Sequence, residues 1–325
     1  MLVINRQDIH QLIDVASCIE IMRQAMVQVS QGKTRLPLRW GLQMPNQDLM
    51  GMMPGYLAEP ECFGLKVVNM MQANRGGINS SHLGCMMLFE AEHGKPLALI
   101  DAGEITAMRT AAASAMATDF LARKNASRLA VIGSGEQAIS HIHAIDEVRD
   151  LDSIHVWFRN PEKADDFIAQ FPADRWPPIF AHHRVDECLQ GADIVCTVSA
   201  AQHPIVFEPM LEAGMHLNVV GSSIKEHQEL DCQALLHCRY FVDYLESANH
   251  QAGELIHARE QRLIGEDYVQ GEIGQLINGE IEGRHKESDI TVYRSLGVAA
   301  QDLALAHYLY QQAVEKSLGT SVDFL

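Results

Sequence analysis

The sequence predicts an α/β protein in which a doubly wound parallel sheet of the Rossmann type accompanies a second, separate sheet. A glycine-rich turn lies between two apolar strands joined by a helical segment, within residues 127–160. Strand and helix patterns then alternate, which is typical of a parallel sheet. The first hundred residues instead carry short apolar stretches broken by Pro and Gly, which favours an antiparallel sheet.

The elements of the first hundred residues follow from apolar spacing and turn residues. Apolar positions at helical spacing predict a helix over 9–31, and Gly32 provides its end. Short strands are then expected from 35 to about 100. Gly94 supplies the turn of a hairpin around Glu92, His93 and Lys95. The small-residue stretch 104–123 predicts a helix that leads into the parallel sheet.

The remaining elements alternate in type. The predicted strands are 129–132, 154–158, a strand near 179, 193–198, 216–220 and 241–243. The predicted helices are one directly after the glycine turn, 161–170, 185–190, 248–262 and a long amphipathic helix in the last stretch, which follows a strand or turn.

The glycine turn has the pattern G-x-G-x-x-A. Gly133 would form the tight turn, Gly135 would let a pyrophosphate approach the backbone, and Ala138 would allow close packing of helix on strand. The first N–H groups of the following helix would then bind the phosphates. The pattern predicts a dinucleotide site, and a purely structural turn is the alternative.

The second strand of this unit ends without the acidic residue that usually binds a ribose 2′-hydroxyl in NAD sites. Phe158, Arg159 and Asn160 stand there instead. A guanidinium binds a 2′-phosphate well, so the sequence favours NADP(H), with NAD(H) possible. A solvated arginine at a strand end is the alternative.

Composition restricts the class of protein. The 325 residues suffice for two domains, and 47% apolar with 21% charged residues is ordinary for a globular protein. Net charge is 25 − 42 = −17, which argues against nucleic acid or an anionic membrane as a partner. Seven cysteines without a C-x-x-C pair fit a reducing cytoplasm. We expect no signal peptide and no membrane span.

Few polar residues interrupt the apolar segments. Lys66 lies in FGLKVVN, where an unpaired buried lysine would be costly, so a substrate-facing role competes with an edge-strand lysine. Arg109 lies among alanines in the small-residue helix and suits a carboxylate, although a helix-surface arginine is the alternative. Arg35 and Arg39 flank a proline and suit an anion. The sixteen histidines form no H-E-x-x-H, so no metal site is predicted.

Seven motifs in order, all within roughly residues 35–306, resemble the ornithine cyclodeaminase/mu-crystallin family. They are FGLKVVN, MRTAAASA, VIGSGEQA, VWFRNPEKA, GSSIKEHQELD, GEIGQLI and ITVYRSLGVAAQDLA. The resemblance implies a Rossmann domain, 120–299, inserted into a substrate-binding and dimerisation domain, 1–119 with 300–325. It also implies a homodimer paired through the sheet of the first domain, a nicotinamide cofactor and a small α-amino or α-imino acid substrate.

The resemblance carries roles to individual residues. Lys66 and Arg109 would bind the substrate carboxylate, with Lys66 also near the nitrogen and Arg39 as an accessory ligand. Thr110 and the turn 295–297 would line the nicotinamide pocket. The implied substrate-binding residues are Arg39, Lys66, Arg109, Ser295 and Gly297. The implied cofactor-binding residues are Thr110, Gly133, Ser134, Gly135, Gln137, Ala138, Arg159, Asn160, Thr197 and Ser199.

One departure from the family decides between its activities. Cyclodeaminases carry an aspartate after the HLNVV strand, and Ser223 stands at that place here, as a serine does in ketimine reductases. Lys66, Arg109 and Ser223 are therefore the expected catalytic residues of an NAD(P)H-dependent ketimine reductase. The expected reaction is Δ1-pyrroline-2-carboxylate to L-proline, with Δ1-piperideine-2-carboxylate as the six-membered homologue. An open-chain amino acid dehydrogenase or iminosuccinate reductase, an ornithine cyclodeaminase (ammonia-lyase) and a non-enzymatic cofactor-binding protein remain as alternatives.

Overall fold

The computed structural model describes residues 1–74 and 82–324 and divides into two compact units. The first unit comprises Met1–Thr110 and the chain from Val298, and the second comprises Ala111–Gly297. The first division falls inside a helix, earlier than the domain boundary expected at 119/120. The domain roles attached to that boundary stay a prediction.

The elements up to that helix are β1 (Leu2–Ile4), α1 (Arg6–Leu12), α2 (Val15–Ser30), β2 (Thr34–Arg35), β3 (Trp40–Gln43), β4 (Leu49–Ala58), β5 (Glu61–Met70), β6 (Leu83–Glu90), β7 (Pro96–Asp101) and α3 (Ala102–Leu121). The later elements are β8 (Arg128–Ile132), α4 (Glu136–Asp146), β9 (Ser153–Trp157), α5 (Ala164–Ile168), β10 (Ile179–His182), α6 (Val185–Leu189), β11 (Ile194–Thr197), β12 (His216–Val219), β13 (Cys238–Val242), α7 (Leu245–Gln251), α8 (Gly253–Glu260), β14 (Gly271–Glu272), α9 (Ile273–Ile277), β15 (Ile290–Arg294), α10 (Ala299–Lys316) and β16 (Thr320–Ser321).

The first unit contains a sheet in the order β16-β1-β7-β6-β5-β4-β2, with β3 also paired to β4. Its pairs are antiparallel except β1 with β7, so the predicted antiparallel sheet and the hairpin at Gly94 are confirmed. The single helix predicted over 9–31 is wrong. The chain breaks there because Asp14 caps α2, its Oδ1 accepting from the Ser17 N–H at 2.7 Å.

One face of this sheet packs against α10 at close range. Gly55 and Gly64 lie opposite each other on β4 and β5. A Cβ at Gly55 would lie 2.7 Å from the Ala299 Cβ, and one at Gly64 would lie 3.1 Å from the Leu303 Cδ2. The two glycines therefore let the helix approach the sheet, and the residues of β5 that share this face are buried.

The opposite face of the sheet is apolar and partly exposed. The residues on this face follow from the cross-strand pairing of β3 to β7. Among them, Phe63 stacks on Phe89 with ring centroids 5.1 Å apart. The partly exposed side chains on this face are Met52, Phe63, Leu65, Val67, Cys85, Met87, Phe89 and Leu99. We call this surface the apolar sheet face.

The second unit is built on a sheet in the order β10-β9-β8-β11-β12-β15-β13-β14, and every pair in it is parallel. The predicted doubly wound parallel sheet is confirmed. The chain order changes direction between β8 and β11, and ligands of such sheets bind where the order reverses, at the carboxyl ends of the strands.

Two helices predicted in this unit are shorter than expected. Residues 161–170 form a 3-10 turn, Pro161–Lys163, followed by α5. Residues 248–262 are divided between α7 and α8 at Ala252, whose ψ of 97° is not helical. A Cβ at Gly253, the first residue of α8, would lie 2.3 Å from the His227 carbonyl oxygen, so the chain passes close to that backbone directly after the break. Among the described residues, no helix combines the length and the apolar character that crossing a membrane requires.

Candidate functional site

A lysine lies within the first unit's sheet, on the face covered by α10. Lys66 is in β5, which pairs with β4 on one side and β6 on the other, so it is not on an edge strand. Its side chain is only 2% exposed. Its cross-strand neighbours are Met53 and Met86. Burial of an ammonium group at this depth requires a partner.

That partner is Asp302, a fully buried residue in the first turn of α10. The Lys66 Nζ donates to the Asp302 Oδ1 at 2.7 Å and to the Thr106 Oγ1 at 3.2 Å. The Arg109 Nε donates to the same Asp302 Oδ1 at 3.0 Å. One carboxylate oxygen thus joins a strand lysine to a helix arginine.

Arg109 is held at a second point. It is 6% exposed, and its Nη1 donates to the Gln301 Oε1 at 3.1 Å. Among the residues that the structure describes, none accepts a hydrogen bond from its Nη2. The guanidinium is therefore oriented through Nε and Nη1, and one terminal nitrogen remains for a ligand such as a carboxylate.

The electrostatics of the cluster favour an anion. The pKa of Lys66 is lowered to about 7, chiefly by burial and also by the charges of Arg109 and Arg39, while Asp302 opposes the shift. Lys66 and Arg109 thus share one carboxylate, whose Oδ2 is buried without a hydrogen bond to any described residue, and the charge of Arg39 also acts on Lys66. A bound carboxylate would offset the excess of positive charge.

The glycine turn of the second unit follows β8. Gly133 has φ +136°, and an added Cβ would lie 3.0 Å from the Val198 carbonyl oxygen, so glycine is needed there. Gly135 is the N-terminal cap of α4, and nothing lies within 4 Å of the place a Cβ would take. Ala138 is buried, and Ser134 and Gln137 are half-buried. The turn leaves open space in front of a helix N-terminus, which fits a pyrophosphate.

Arg159 and Asn160 follow the end of β9 and are exposed. The Asn160 Oδ1 accepts from the Glu162 N–H at 3.2 Å and caps the short turn after the strand. Within the described residues, Arg159 forms no hydrogen bond or ion pair. Its guanidinium is therefore available to a ligand phosphate.

Thr197 and Ser199, which were expected to contact the cofactor, bind a carboxylate of the chain itself. Glu229 is fully buried and accepts from the Thr197 Oγ1 at 2.8 Å and from the Ser199 N–H at 2.7 Å and Oγ at 2.6 Å. It also accepts from the Gly221 N–H at 2.7 Å. Glu229 thus links the end of β11 to Gly221 after β12, and both hydroxyl groups are used in this link. A direct contact of these hydroxyl groups with the cofactor stays a prediction.

Ser223 is half-buried in the loop that follows β12. The loop is fixed by Arg294, whose Nη1 donates to the Val219 carbonyl oxygen at 3.0 Å and whose Nη2 donates to that of Ser222. Arg294 is itself fully buried, with its Nε 2.7 Å from the Glu254 Oε1. A buried ion pair thus sets the backbone directly before Ser223.

The turn 295–297 is fixed by Asp243. The Asp243 Oδ2 accepts from the Leu296 N–H at 2.8 Å and from the Gly297 N–H at 2.6 Å. Ser295 is 2% exposed, and its Oγ has no partner among the described residues. Thr110, in the first unit, is likewise buried with an Oγ1 that bonds to no described residue.

Sequence reasoning missed the four acidic and basic residues that organise these groups. They are Asp302, Glu229, Asp243 and Arg294. Each is a charged residue inside or next to an apolar segment. The same interruption of an apolar segment identified Lys66, and it is the feature of the sequence that could have identified these four. Within the first unit the structure brings Lys66, Arg109 and the charge of Arg39 together, as expected.

The ornithine cyclodeaminase/mu-crystallin family model matches residues 1–317. A Delta(1)-pyrroline-2-carboxylate reductase of Bacillus thuringiensis subsp. konkukian is 34% identical over 326 residues, covering 100% of both chains. The structure of Thermococcus litoralis Delta(1)-pyrroline-2-carboxylate reductase with NADH and L-proline matches with a TM-score of 0.95 and 31% identity, over 99% of this chain and 100% of that one. An archaeal alanine dehydrogenase dimer with bound NAD matches with a TM-score of 0.92 and 30% identity, over 100% and 99%.

Proposed function

The chain belongs to the ornithine cyclodeaminase/mu-crystallin family, and we propose that it is an NAD(P)H-dependent ketimine reductase. Its substrate is a small cyclic imino acid, Δ1-pyrroline-2-carboxylate reduced to L-proline, with Δ1-piperideine-2-carboxylate also accepted. The observation that carries the proposal is the buried cluster of Lys66, Arg109 and Asp302, whose excess positive charge fits one carboxylate. The full-length reductase relatives support the same reaction.

The substrate carboxylate binds in the first unit. Arg109, oriented by Asp302 and Gln301, offers its remaining N–H groups to the carboxylate, and Lys66 contributes a second cation. A charge-assisted bond of this kind stabilises the bound anion and restricts the imine ring to one orientation. Positioning of this sort can supply most of the rate for a reaction that needs no covalent intermediate.

The cofactor, when bound, supplies a hydride to the carbon of the C=N bond. The open space at Gly135 and the N-terminus of α4 fit its pyrophosphate. Arg159 and Asn160 are exposed at the end of β9, and we propose that they bind a 2′-phosphate, so that NADPH is preferred over NADH. The structure of the T. litoralis reductase is a complex with NADH, which supports NADH as a second cofactor.

The nitrogen of the imine must carry a proton when the C=N bond is reduced. Burial brings the pKa of Lys66 to about 7, which suits a group that gives a proton near neutral pH and takes it back from solvent. Ser223 stands where a cyclodeaminase has its aspartate, so the chain lacks that acceptor for a lyase cycle. The chain therefore has a proton donor for the reduction, but it lacks the aspartate that a cyclodeaminase has at this position.

We propose a homodimer formed through the apolar sheet face. The side chains on it are apolar but only partly buried, which is unusual for a surface without a partner. The archaeal alanine dehydrogenase neighbour is a dimer.

The proposal is tested by following oxidation of NADPH with freshly generated Δ1-pyrroline-2-carboxylate, with pyruvate plus ammonia and iminosuccinate in parallel reactions. We expect rapid turnover of the cyclic imine alone. Turnover of pyruvate and ammonia would favour the open-chain dehydrogenase, for which the alanine dehydrogenase likeness is the support. Release of ammonia from ornithine without reductase activity would show that the substitution at Ser223 does not remove lyase activity.

A further inference from the structure

Among the described residues, Asp302 is the carboxylate that pairs with both Lys66 and Arg109, and no motif assigned it a role. It comes from α10, whereas Lys66 comes from β5 and Arg109 from α3. Its Oδ1 lies 2.7 Å from the Lys66 Nζ and 3.0 Å from the Arg109 Nε. The same oxygen therefore fixes the direction of both groups.

Lys66 is surrounded by side chains from each of the elements that pack around it. The helix α10 provides Asp302, and α3 provides Arg109 and the hydroxyl of Thr106. The charge of Arg39 acts on Lys66 from the segment before β3. The cross-strand neighbours on β4 and β6 are uncharged methionines. The thiol of Cys18 in α2, on which the charge of Arg109 acts, has its pKa raised to about 12 by burial and is neutral.

Asp302 is thus the one group in this set whose charge stabilises the protonated form of Lys66. Burial, Arg109 and Arg39 all favour the neutral amine. With the carboxylate removed, two cations would remain buried beside each other without compensation. Lys66 would then lose its proton at a lower pH, and its amine would no longer be tied in place.

We propose that Asp302 is a positioning residue that keeps Lys66 protonated and holds Lys66 and Arg109 in the orientation that receives the substrate carboxylate. This inference rests on the proposed reductase function for its kinetic test. It predicts two separable effects, because charge and position can be altered independently. Asp302→Asn removes the charge and keeps the shape, while Asp302→Glu keeps the charge and moves the carboxylate by one methylene.

The first experiment is the pH profile of kcat/KM for the cyclic imino acid in the wild type and the two variants. We expect the alkaline fall of Asp302→Asn to lie about one pH unit or more below that of the wild type. Asp302→Glu should keep the wild-type pH profile with a reduced kcat, since its charge is retained and its geometry is not. Lys66→Arg, with a cation that stays charged, should show no fall in this range.

The second experiment needs no substrate. Lysine side chains are isotopically labelled and titrated by NMR, and the Lys66 signal is identified by its absence in Lys66→Arg. We expect a lower pKa for Lys66 in Asp302→Asn than in the wild type. A folded Asp302→Asn protein with an unchanged Lys66 titration, or Asp302→Glu with wild-type kcat and KM, overturns the inference. A wild type that titrates as expected but reduces no cyclic imine refutes the proposed function alone.

Discussion

The two glycines of the nucleotide turn allow folding and cofactor binding to be separated by matched substitutions. In Gly135→Ala no atom of the surrounding chain lies within 4 Å of the position that the new methyl group takes. Alanine is a poorer helix N-cap than glycine, but it also reduces the freedom of the unfolded chain by about 0.4–1 kcal/mol. The two effects are similar in size, so we expect the free energy of unfolding to change by less than about 1 kcal/mol.

Gly133→Ala is the contrasting variant. At φ +136° an alanine is strained, and its Cβ would lie 3.0 Å from the Val198 carbonyl oxygen. Strain of this kind costs about 1–3 kcal/mol, which corresponds to a fall in Tm of roughly 3–10 °C. The unfolding temperature of both variants without nucleotide measures this difference directly.

For nucleotide affinity, the informative variant is Gly135→Ala, which is expected to leave stability almost unchanged. The methyl group of Gly135→Ala would occupy the space that we assign to the pyrophosphate, so we expect the Kd for NADPH to rise about tenfold or more, or about 1.4 kcal/mol. Fluorescence titration with NADPH at a temperature where both variants are folded gives that Kd. A Gly135→Ala protein with wild-type Tm and wild-type Kd would refute the placement of the pyrophosphate at this turn.

Four further results are expected. Arg159→Ala should weaken binding of NADPH far more than that of NADH, because only NADPH has a 2′-phosphate; equal losses would contradict the assignment. Arg109→Gln should raise KM for the imino acid by roughly 10- to 100-fold, since a charged hydrogen bond contributes about 1.5–3 kcal/mol, while the Kd for NADPH stays the same; unchanged KM would place the carboxylate elsewhere. Leu65→Glu, on the apolar sheet face, should give monomers by light scattering, whereas Val314→Glu, at an exposed position of α10, should not; a dimeric Leu65→Glu protein would exclude that face. Burial lowers the pKa of His216 from 6.5 to about 3. Between pH 6.5 and about 3 the imidazole is therefore protonated in the unfolded chain but not in the folded one. The free energy of unfolding should fall by roughly 1 kcal/mol for each pH unit as the pH drops through this range. Urea denaturation should show a shallower dependence in His216→Gln, and an identical slope would mean that another group dominates.

Local sequence was sufficient for the elements that depend on short-range pattern. The strand, glycine turn and helix from β8 to α4 follow from apolar runs and from two glycines within a few residues. The hairpin at Gly94 follows from one residue with positive φ. The breaks in the helices at Asp14 and Ala252 were missed, since apolar spacing continues across both; the first depends on a side-chain cap and the second on a non-helical backbone angle.

The candidate site was only half visible in the sequence. Lys66 and Arg109 stood out because each interrupts an apolar segment. Both are buried in the structure, which excludes the alternatives of an edge-strand lysine and a helix-surface arginine. Thr197 and Ser199 were expected to face the cofactor, yet their hydroxyl groups bind Glu229, which lies about thirty residues further along the chain. A hydroxyl at a strand end has several possible acceptors, and strand pattern does not determine which one it finds.

The sequence by itself determined the fold class, the family and the two cationic residues, because periodicity, turn chemistry and ordered motifs are local properties of the chain. Only the tertiary structure decided which carboxylate those cations share. Asp302 lies 236 residues from Lys66 and 193 from Arg109 in the sequence, and the pairing arises from α10 packing across β4 and β5, where a glycine on each strand allows the close approach. Burial then made the pairing obligatory, since an ammonium group and a guanidinium withdrawn from water need a compensating charge within hydrogen-bonding distance.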